Sequence, residues 1–228
     1  LLASIAPAGL AYGVSQDDME IATLHASDGG SGDHFGNAID VSGNVILVGA
    51  FENNDFGSDS GSAYVCRNDG SGWSEETKLT PVDGAGGDEF GGAVAVEGDV
   101  AVVGAMKDDD LGSNSGSVYV FRYVNGSWIQ EAKLLAPDGD SSDSFGSSVA
   151  ISGNTIAVGA WGDEELGAYS GSIYLFTHNG SQWSHAQKLT ANDGAPGDFL
   201  GMSLSMTVSR SVAQRSNQPG GRFLSNTA

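Results

Sequence analysis

The residues best suited to chemistry in this chain are carboxylates, and they come in recurring sets. Asp108-Asp109-Asp110 is the densest run; Asp163-Glu164-Glu165 and the pair Glu52 and Asp55 hold the corresponding positions in the stretches on either side. A second series pairs Asp28 with Asp33, Asp83 with Asp88, Asp138 with Asp143 and Asp193 with Asp198. Closely spaced carboxylates offer the hard oxygen donors that calcium takes, and they create a field that draws in basic protein surfaces. Asp108, Asp109 and Asp110 are therefore the candidate metal ligands, with Ca2+ the candidate ion. The remaining carboxylates are candidate contacts of an acidic binding face. Two plainer roles compete with both. Asp28, Asp83, Asp138 and Asp193 each precede glycine, which is ordinary turn chemistry, and the second Asp of each pair is placed to brace its loop. A carboxylate with neither role simply solvates the surface.

Other reactive types are sparse. His25, His34, His178 and His185 share no common position in the pattern described below, and none stands at metal-ligand spacing from another His or from Cys66. Cys66 aligns with Phe121 and Phe176, which makes it a buried strand residue rather than a nucleophile. Nucleophile-elbow and phosphate-loop motifs are absent, and the chain is expected to be non-catalytic. Asn125-Gly126-Ser127 and Asn179-Gly180-Ser181 are N-glycosylation sequons, although Asn-Gly is also what a tight hairpin selects.

The elements that must position these carboxylates repeat with a fixed step. Phe35-Gly36 recurs as Phe90-Gly91 and Phe145-Gly146, 55 residues apart, and relaxes to Leu200-Gly201. Gly49-Ala50, Trp73 and Lys78-Leu79 recur with the same step as Gly104-Ala105, Trp128 and Lys133-Leu134, then as Gly159-Ala160, Trp183 and Lys188-Leu189. Within one unit, Phe145 to Ile151 alternates as a strand with a small-residue face, and Ser152-Gly153-Asn154 is a turn. Thr155 to Ala160 reads as a strand buried on both faces. An acidic loop over 161–171 leads to the β-branched and aromatic strand Ser172 to Phe176. Asn179-Gly180 then turns into an amphipathic fourth strand from Trp183 to Thr190.

Four antiparallel strands per unit of this length is the signature of a propeller blade. The predicted fold is all-β, a partial β-propeller with three complete blades over 27–80, 81–135 and 136–190, plus flanking strands. Residues 191–206 match a first strand, and 17–26, through Ile21-Ala22-Thr23-Leu24, match a last one. Ala93, Ala95, Ser148 and Ala150 are small because first strands crowd the axis. Phe35, Phe90, Phe145, Tyr64, Tyr119 and Tyr174 are expected to fill the space between blades. Trp73, Trp128 and Trp183 are expected at the rim strand, or as a sugar-stacking surface. Strand direction sorts the loops. The links between blades and the second connections share one end of the propeller, which thus gathers acid from every unit; both sequons fall on the opposite end.

Composition agrees with this reading. Glycine is 35 of 228 residues, about double ordinary usage. The net charge of −20, from 9 basic and 29 acidic residues, repels nucleic-acid phosphates and anionic lipid and leaves cations or basic proteins as partners. No apolar run reaches the ~20 residues that span a bilayer. Residues 1–16 form an apolar leader, either the remnant of a signal-peptide core or an ordinary leading segment. From 207 to 228 the strand pattern stops and basic residues gather, as in a disordered tail or an aberrant reading of the coding sequence.

The paired Phe-Gly and Gly-Ala elements, in phase through 17–206, resemble the FG-GAP repeat family of integrin α-subunit propellers and related surface proteins. The resemblance implies a non-catalytic recognition or adhesion module, extracellular or at the cell surface, whose partner is a protein ligand or a surface glycan. Alternatives are a carbohydrate-binding propeller or the non-catalytic part of a larger secreted enzyme. Two departures stand out. The residue after Gly-Ala is Phe51, Met106 or Trp161, never proline. Where the integrin type carries a D-x-D-x-D-G calcium loop, this chain has Ser42-Gly43-Asn44, Glu97-Gly98-Asp99 and Ser152-Gly153-Asn154. These turns hold too few oxygens for an ion that takes six to eight.

Overall fold

The computed structural model describes residues 22–207 and, beyond them, the backbone of Arg210–Gln214 and Phe223–Ser225. The leader over 1–16 and most of the 207–228 tail lie outside the described residues.

Alternating and apolar segments become strands where the sequence predicts them. The first sheet holds β1 (Ile39–Ser42), β2 (Val45–Ala50), β3 (Ser62–Asn68) and β4 (Trp73–Leu79). The second holds β5 (Phe90–Glu97), β6 (Val100–Ala105), β7 (Ser117–Val124) and β8 (Ser127–Leu134). The third holds β9 (Phe145–Ser152), β10 (Thr155–Ala160), β11 (Ser172–His178) and β12 (Trp183–Leu189). Each sheet is an antiparallel meander in chain order. The three do not close a ring, so the molecule is a partial propeller. Among the described residues no helix is long and apolar enough to cross a membrane.

The core lies between sheets rather than within one. Leu47, Val65 and Leu79 of the first sheet pack with Phe90, Val103 and Tyr119 of the second. Val102, Val120 and Leu134 pack with Phe145, Ile156 and Tyr174 of the third. The second strand of each sheet is apolar on both faces because it is covered on both, while the fourth strands are largely open to solvent, alternating in the first two sheets.

The seam between neighbouring sheets explains the repeated glycines. A Cβ on Gly49 would stand 2.0 Å from the carbonyl oxygen of Gly91; one on Gly104, 2.0 Å from that of Gly146; one on Gly159, 1.9 Å from that of Gly201. The Gly of each Gly-Ala thus faces the Gly of the next unit's Phe-Gly, backbone to backbone. The Phe-Gly glycines also hold φ values of 91 to 95°, which L side chains avoid. Backbone bonds stitch the seam further: Phe90 N donates to Ser60 O at 3.1 Å, Phe145 N to Ser115 O at 2.9 Å and Leu200 N to Ser170 O at 3.1 Å. Leu200 therefore keeps the geometry although it is not Phe. The small first-strand residues Ala93, Ala95, Ser148 and Ala150 are all buried.

Of the last strand expected over 17–26, residues 17–21 lie outside the described residues. Residues 22–26 form no strand; among the described residues no third strand is left to pair with them. At the other end β13 (Ser203–Thr207) forms as expected, but it pairs with β14 (Arg210–Gln214), which pairs with β15 (Phe223–Ser225). Strand backbone seeks hydrogen-bond partners whatever its side-chain pattern, and extended chain from the tail supplies them.

Candidate functional site

The acidic second connections are built around a serine. Ser115 Oγ donates to Asp108 O at 3.2 Å and accepts from Leu111 N at 3.1 Å; Ser60 and Ser170 do the same in the first and third units. The loop then folds back so that Asp108 Oδ1 accepts from Asp110 N at 3.1 Å, and Asp163 Oδ1 from Glu165 N at 3.1 Å. Asp108 and Asp163 are buried, as is Asn53, their counterpart in the first unit.

Charges buried in this way need a partner, and a lysine from the fourth strand supplies it. Lys133 Nζ lies 2.8 Å from Asp83 Oδ2, 3.0 Å from Asp108 Oδ2 and 2.6 Å from Asp110 Oδ2. Lys188 Nζ repeats the pattern with Asp138, Asp163 and Glu165 at 2.8, 2.8 and 2.7 Å. Lys78 Nζ meets Asp28 at 2.7 Å and Asp55, with Asn53 Oδ1 at 3.3 Å in place of the third carboxylate. Each ammonium also sits over a tyrosine ring, 5.1 to 5.3 Å from its centroid. That tyrosine's hydroxyl joins the cluster: Tyr119 Oη is 3.0 Å from Asp83 Oδ1 and 2.9 Å from Asp108 Oδ2, and Tyr174 Oη is 2.9 Å from Asp138 Oδ1 and 2.7 Å from Asp163 Oδ2.

Ionisation follows the geometry. Burial works against the charged forms of Asp83, Asp138 and Asp163, but hydrogen bonds from the lysine and tyrosine outweigh it and hold all three carboxyls below the ordinary range. The Lys78 hydrogen bond does the same for Asp28. Burial also opposes the charge on Lys78, Lys133 and Lys188, yet their carboxylate partners prevail and all three are held above the ordinary lysine value. The tyrosines are raised, by burial first and then by their acidic partners.

The second Asp of each link has a different task. Asp33, Asp88 and Asp143 are buried and accept from Gly30 N, Ala85 N and Asp140 N at 2.8, 2.7 and 2.7 Å, so they take the bracing role rather than that of exposed contacts of the binding face. Asp198 accepts likewise from Ala195 N at 3.0 Å. In the first unit Asn53 Nδ2 donates to Asp33 at 3.1 Å. In the third a carboxylate, Asp163, stands there instead. Burial, reinforced by that like charge, pushes Asp143 up to about 6 against the pull of the Asp140 N–H.

Other predicted residues are dispersed. Asp109 turns away from the lysine, and its Oδ1 accepts from Asn114 N at 2.7 Å. Glu52 pairs with His34 at 2.8 Å, and Glu164 is exposed beside Glu165. An open cleft of about 310 Å³ on the third unit is lined by Asp138, Asp140, Asp143, Glu164, Glu165 and Lys188 among others. Asn125 and Asn179 are exposed at hairpin turns. Asn125 and Gly126 both carry positive φ, 52 and 86°, so the turn by itself accounts for Asn-Gly there. Cys66 is buried, and burial pushes its thiol up to about 11.

Two features go beyond the sequence expectation. Lys78, Lys133 and Lys188, which mark the repeat, recur in step with the acids, and that shared step is the signal that ties them to the clusters. Tyr64, Tyr119 and Tyr174 fill the space between sheets and also bring their hydroxyls to the clusters. The rim tryptophans are tied between sheets: Trp128 Nε1 donates to Glu76 and Trp183 Nε1 to Glu131, both at 3.1 Å. A further aromatic group lies at the third seam. Trp161, Tyr169 and Phe199 stand 5.8 to 5.9 Å apart, with Tyr169 44% exposed. Tyr169 and Phe199 hold φ of 56 and 50°, a conformation that bulky residues rarely take.

Calcium does not fit the acidic clusters as built. The carboxylate oxygens that converge in the second unit converge on Lys133 Nζ, and three such oxygens are about half of what calcium takes. Among the described residues no group of three or more His, Cys, Asp or Glu side chains is arranged to hold a metal ion.

With the geometry in view, the sequence model of the FG-GAP repeat matches residues 19–66, 73–121 and 128–176, more than half of the chain. No curated protein shows significant similarity to it. Among solved structures, the crystal structure of Saccharomyces cerevisiae Sqt1 is similar, with 12% identity and a TM-score of 0.44 over 81% of this chain. The chain spans 42% of that protein's length.

Proposed function

The chain belongs to the FG-GAP repeat family, and on that premise we propose that it is a non-catalytic recognition module. It works outside the cell or at its surface, where such repeats typically occur, and takes a basic protein partner on its loop face. The observation that carries this reading is the charge balance of that face. In the second and third units one lysine answers three carboxylates. The outer carboxylates, Asp110 at 46% and Glu165 at 51% side-chain exposure, still present oxygens to solvent. Glu164, Asp109 and Asp140 add uncompensated acid around them. Such a field steers and orients a positively charged partner.

The test uses a labelled nona-arginine peptide and a nona-glutamate control, followed by fluorescence anisotropy at low and high salt. Binding of the arginine peptide that weakens with salt, and weakens several-fold more in the Asp140→Lys/Glu164→Lys double variant, is expected. Equal binding of the two peptides would contradict it. A carbohydrate reading has its own support in the aromatic group Trp161, Tyr169 and Phe199. Two bulky residues are kept there in a costly backbone conformation, and rings of this kind stack on sugars. Glycan binding lost in Tyr169→Ala would favour it.

A further inference from the structure

The acidic runs of the second connections raise calcium, and the loop face answers with a cation of its own. We propose that Lys78, Lys133 and Lys188 are that cation: each ammonium stands where a divalent ion would otherwise neutralise the second-connection and link carboxylates, so the face is assembled without calcium. Three observations support this.

The first is stoichiometry. An ammonium has three N–H donors, and Lys133 and Lys188 each meet one oxygen from each of three carboxylates within 3.0 Å. The second is what the other oxygens do. Asp83 Oδ1 takes the Tyr119 hydroxyl at 3.0 Å and Asp108 Oδ1 takes Asp110 N at 3.1 Å, so they are turned from the shared centre. The third is tolerance. The outer acid is Asp55, Asp110 or Glu165, and the inner residue is Asn53, Asp108 or Asp163. The lysine persists through these changes, and the longer Glu165 still reaches it at 2.7 Å. The lysines are also anchored. Their side chains are only 16 to 18% exposed, lie along tyrosine rings, and hang from paired strands. A divalent ion would have to expel a half-buried, fully paired ammonium to enter.

This holds whatever the face binds, so it and the recognition reading fail separately. Thermal melts of the whole chain in millimolar calcium chloride and in chelator, at matched ionic strength, are the test. The wild-type midpoint is expected to be the same in both, and a rise in calcium would overturn the proposal, because an ion that binds the folded state must raise it. Lys133→Met is expected to melt lower in chelator and to regain part of the loss in calcium, since three carboxylates are then without their cation. A folded Lys133→Met with no calcium response would equally overturn the proposal. Should that variant not fold, Lys78→Met, whose cluster holds one carboxylate fewer, carries the same two expectations.

Discussion

The seam between sheets and the loop face above it obey different rules. At the seam the atoms that meet are backbone: the site of a Gly104 Cβ is 2.0 Å from Gly146 O, and the same approach recurs at Gly49 and Gly159. No side chain is tolerated there, so the residue cannot vary from unit to unit. On the face the atoms that meet are side chains. Their identities do vary, Asn53 for Asp108 and Glu165 for Asp110, as long as a lysine remains to hold the carboxylates. A repeat protein thus fixes its architecture with glycine and its electrostatics with charge balance, and only the first shows as strict sequence identity.

The strongest way to break this contrast is at the seam. Gly104→Ala is expected to cost about 4 kcal/mol or more, at the upper end for one substitution, because backbone must move on both sides. Denaturant midpoints would show it, and a loss below about 1 kcal/mol would mean the seam is soft. On the face, Lys133→Met is expected to cost about 3 kcal/mol in chelator. That is the low end for stripping one partner from a buried pair, since Asp83 and Asp110 stay half exposed. Lys78→Met should cost less, because Asn53 leaves no buried carboxylate behind.

A pH series sharpens the contrast between units. Asp143 titrates near 6 in the folded chain, above the ordinary aspartate range. The folded state therefore holds that proton more tightly than the unfolded state does. Stability should fall as pH rises from about 4 to about 6 and level off above that. Asp138 and Asp163 are held low, so their contribution is intact above about 4 and is lost only as pH falls further. Asp143→Asn should shrink the fall between about 4 and 6, leaving the part due to Asp88, which burial and the nearby Asp108 also raise, and should leave the acid limb in place, as read from melting midpoints across pH. The smallest effect is expected at the rim. Trp183→Phe loses the bond to Glu131 and should cost about 1 kcal/mol. Among the described residues no carboxylate takes the Trp73 indole, and Trp73→Phe should cost less.

Legibility in the sequence follows the same division. Strands and blades could be read because periodicity and turn glycines are local, and Phe-Gly with Gly-Ala marks the seam directly. The acids could be assigned to one end because strand direction sorts the loops. What they do there could not be read, because it depends on contacts between distant residues: Lys133 meets Asp83 across 50 positions and Asp108 across 25. Lys133-Leu134 looks like any amphipathic strand end until the sheet brings it to the loops. The calcium expectation at Asp108 to Asp110 arose from the same gap, since a run of acids says nothing about the cation already aimed at it. The aromatic group at the third seam was hidden likewise, its members lying in three separate segments.

Three half-buried lysine ammoniums hold the loop face together. Side-chain 15N–1H NMR of lysine ammonium groups tests this most directly, because an NH3+ held by three carboxylates exchanges slowly with water and one in solvent does not. Slowly exchanging signals at neutral pH that disappear one at a time in Lys78→Met, Lys133→Met and Lys188→Met are predicted. A spectrum in which every lysine ammonium exchanges as fast as a free side chain would contradict the account.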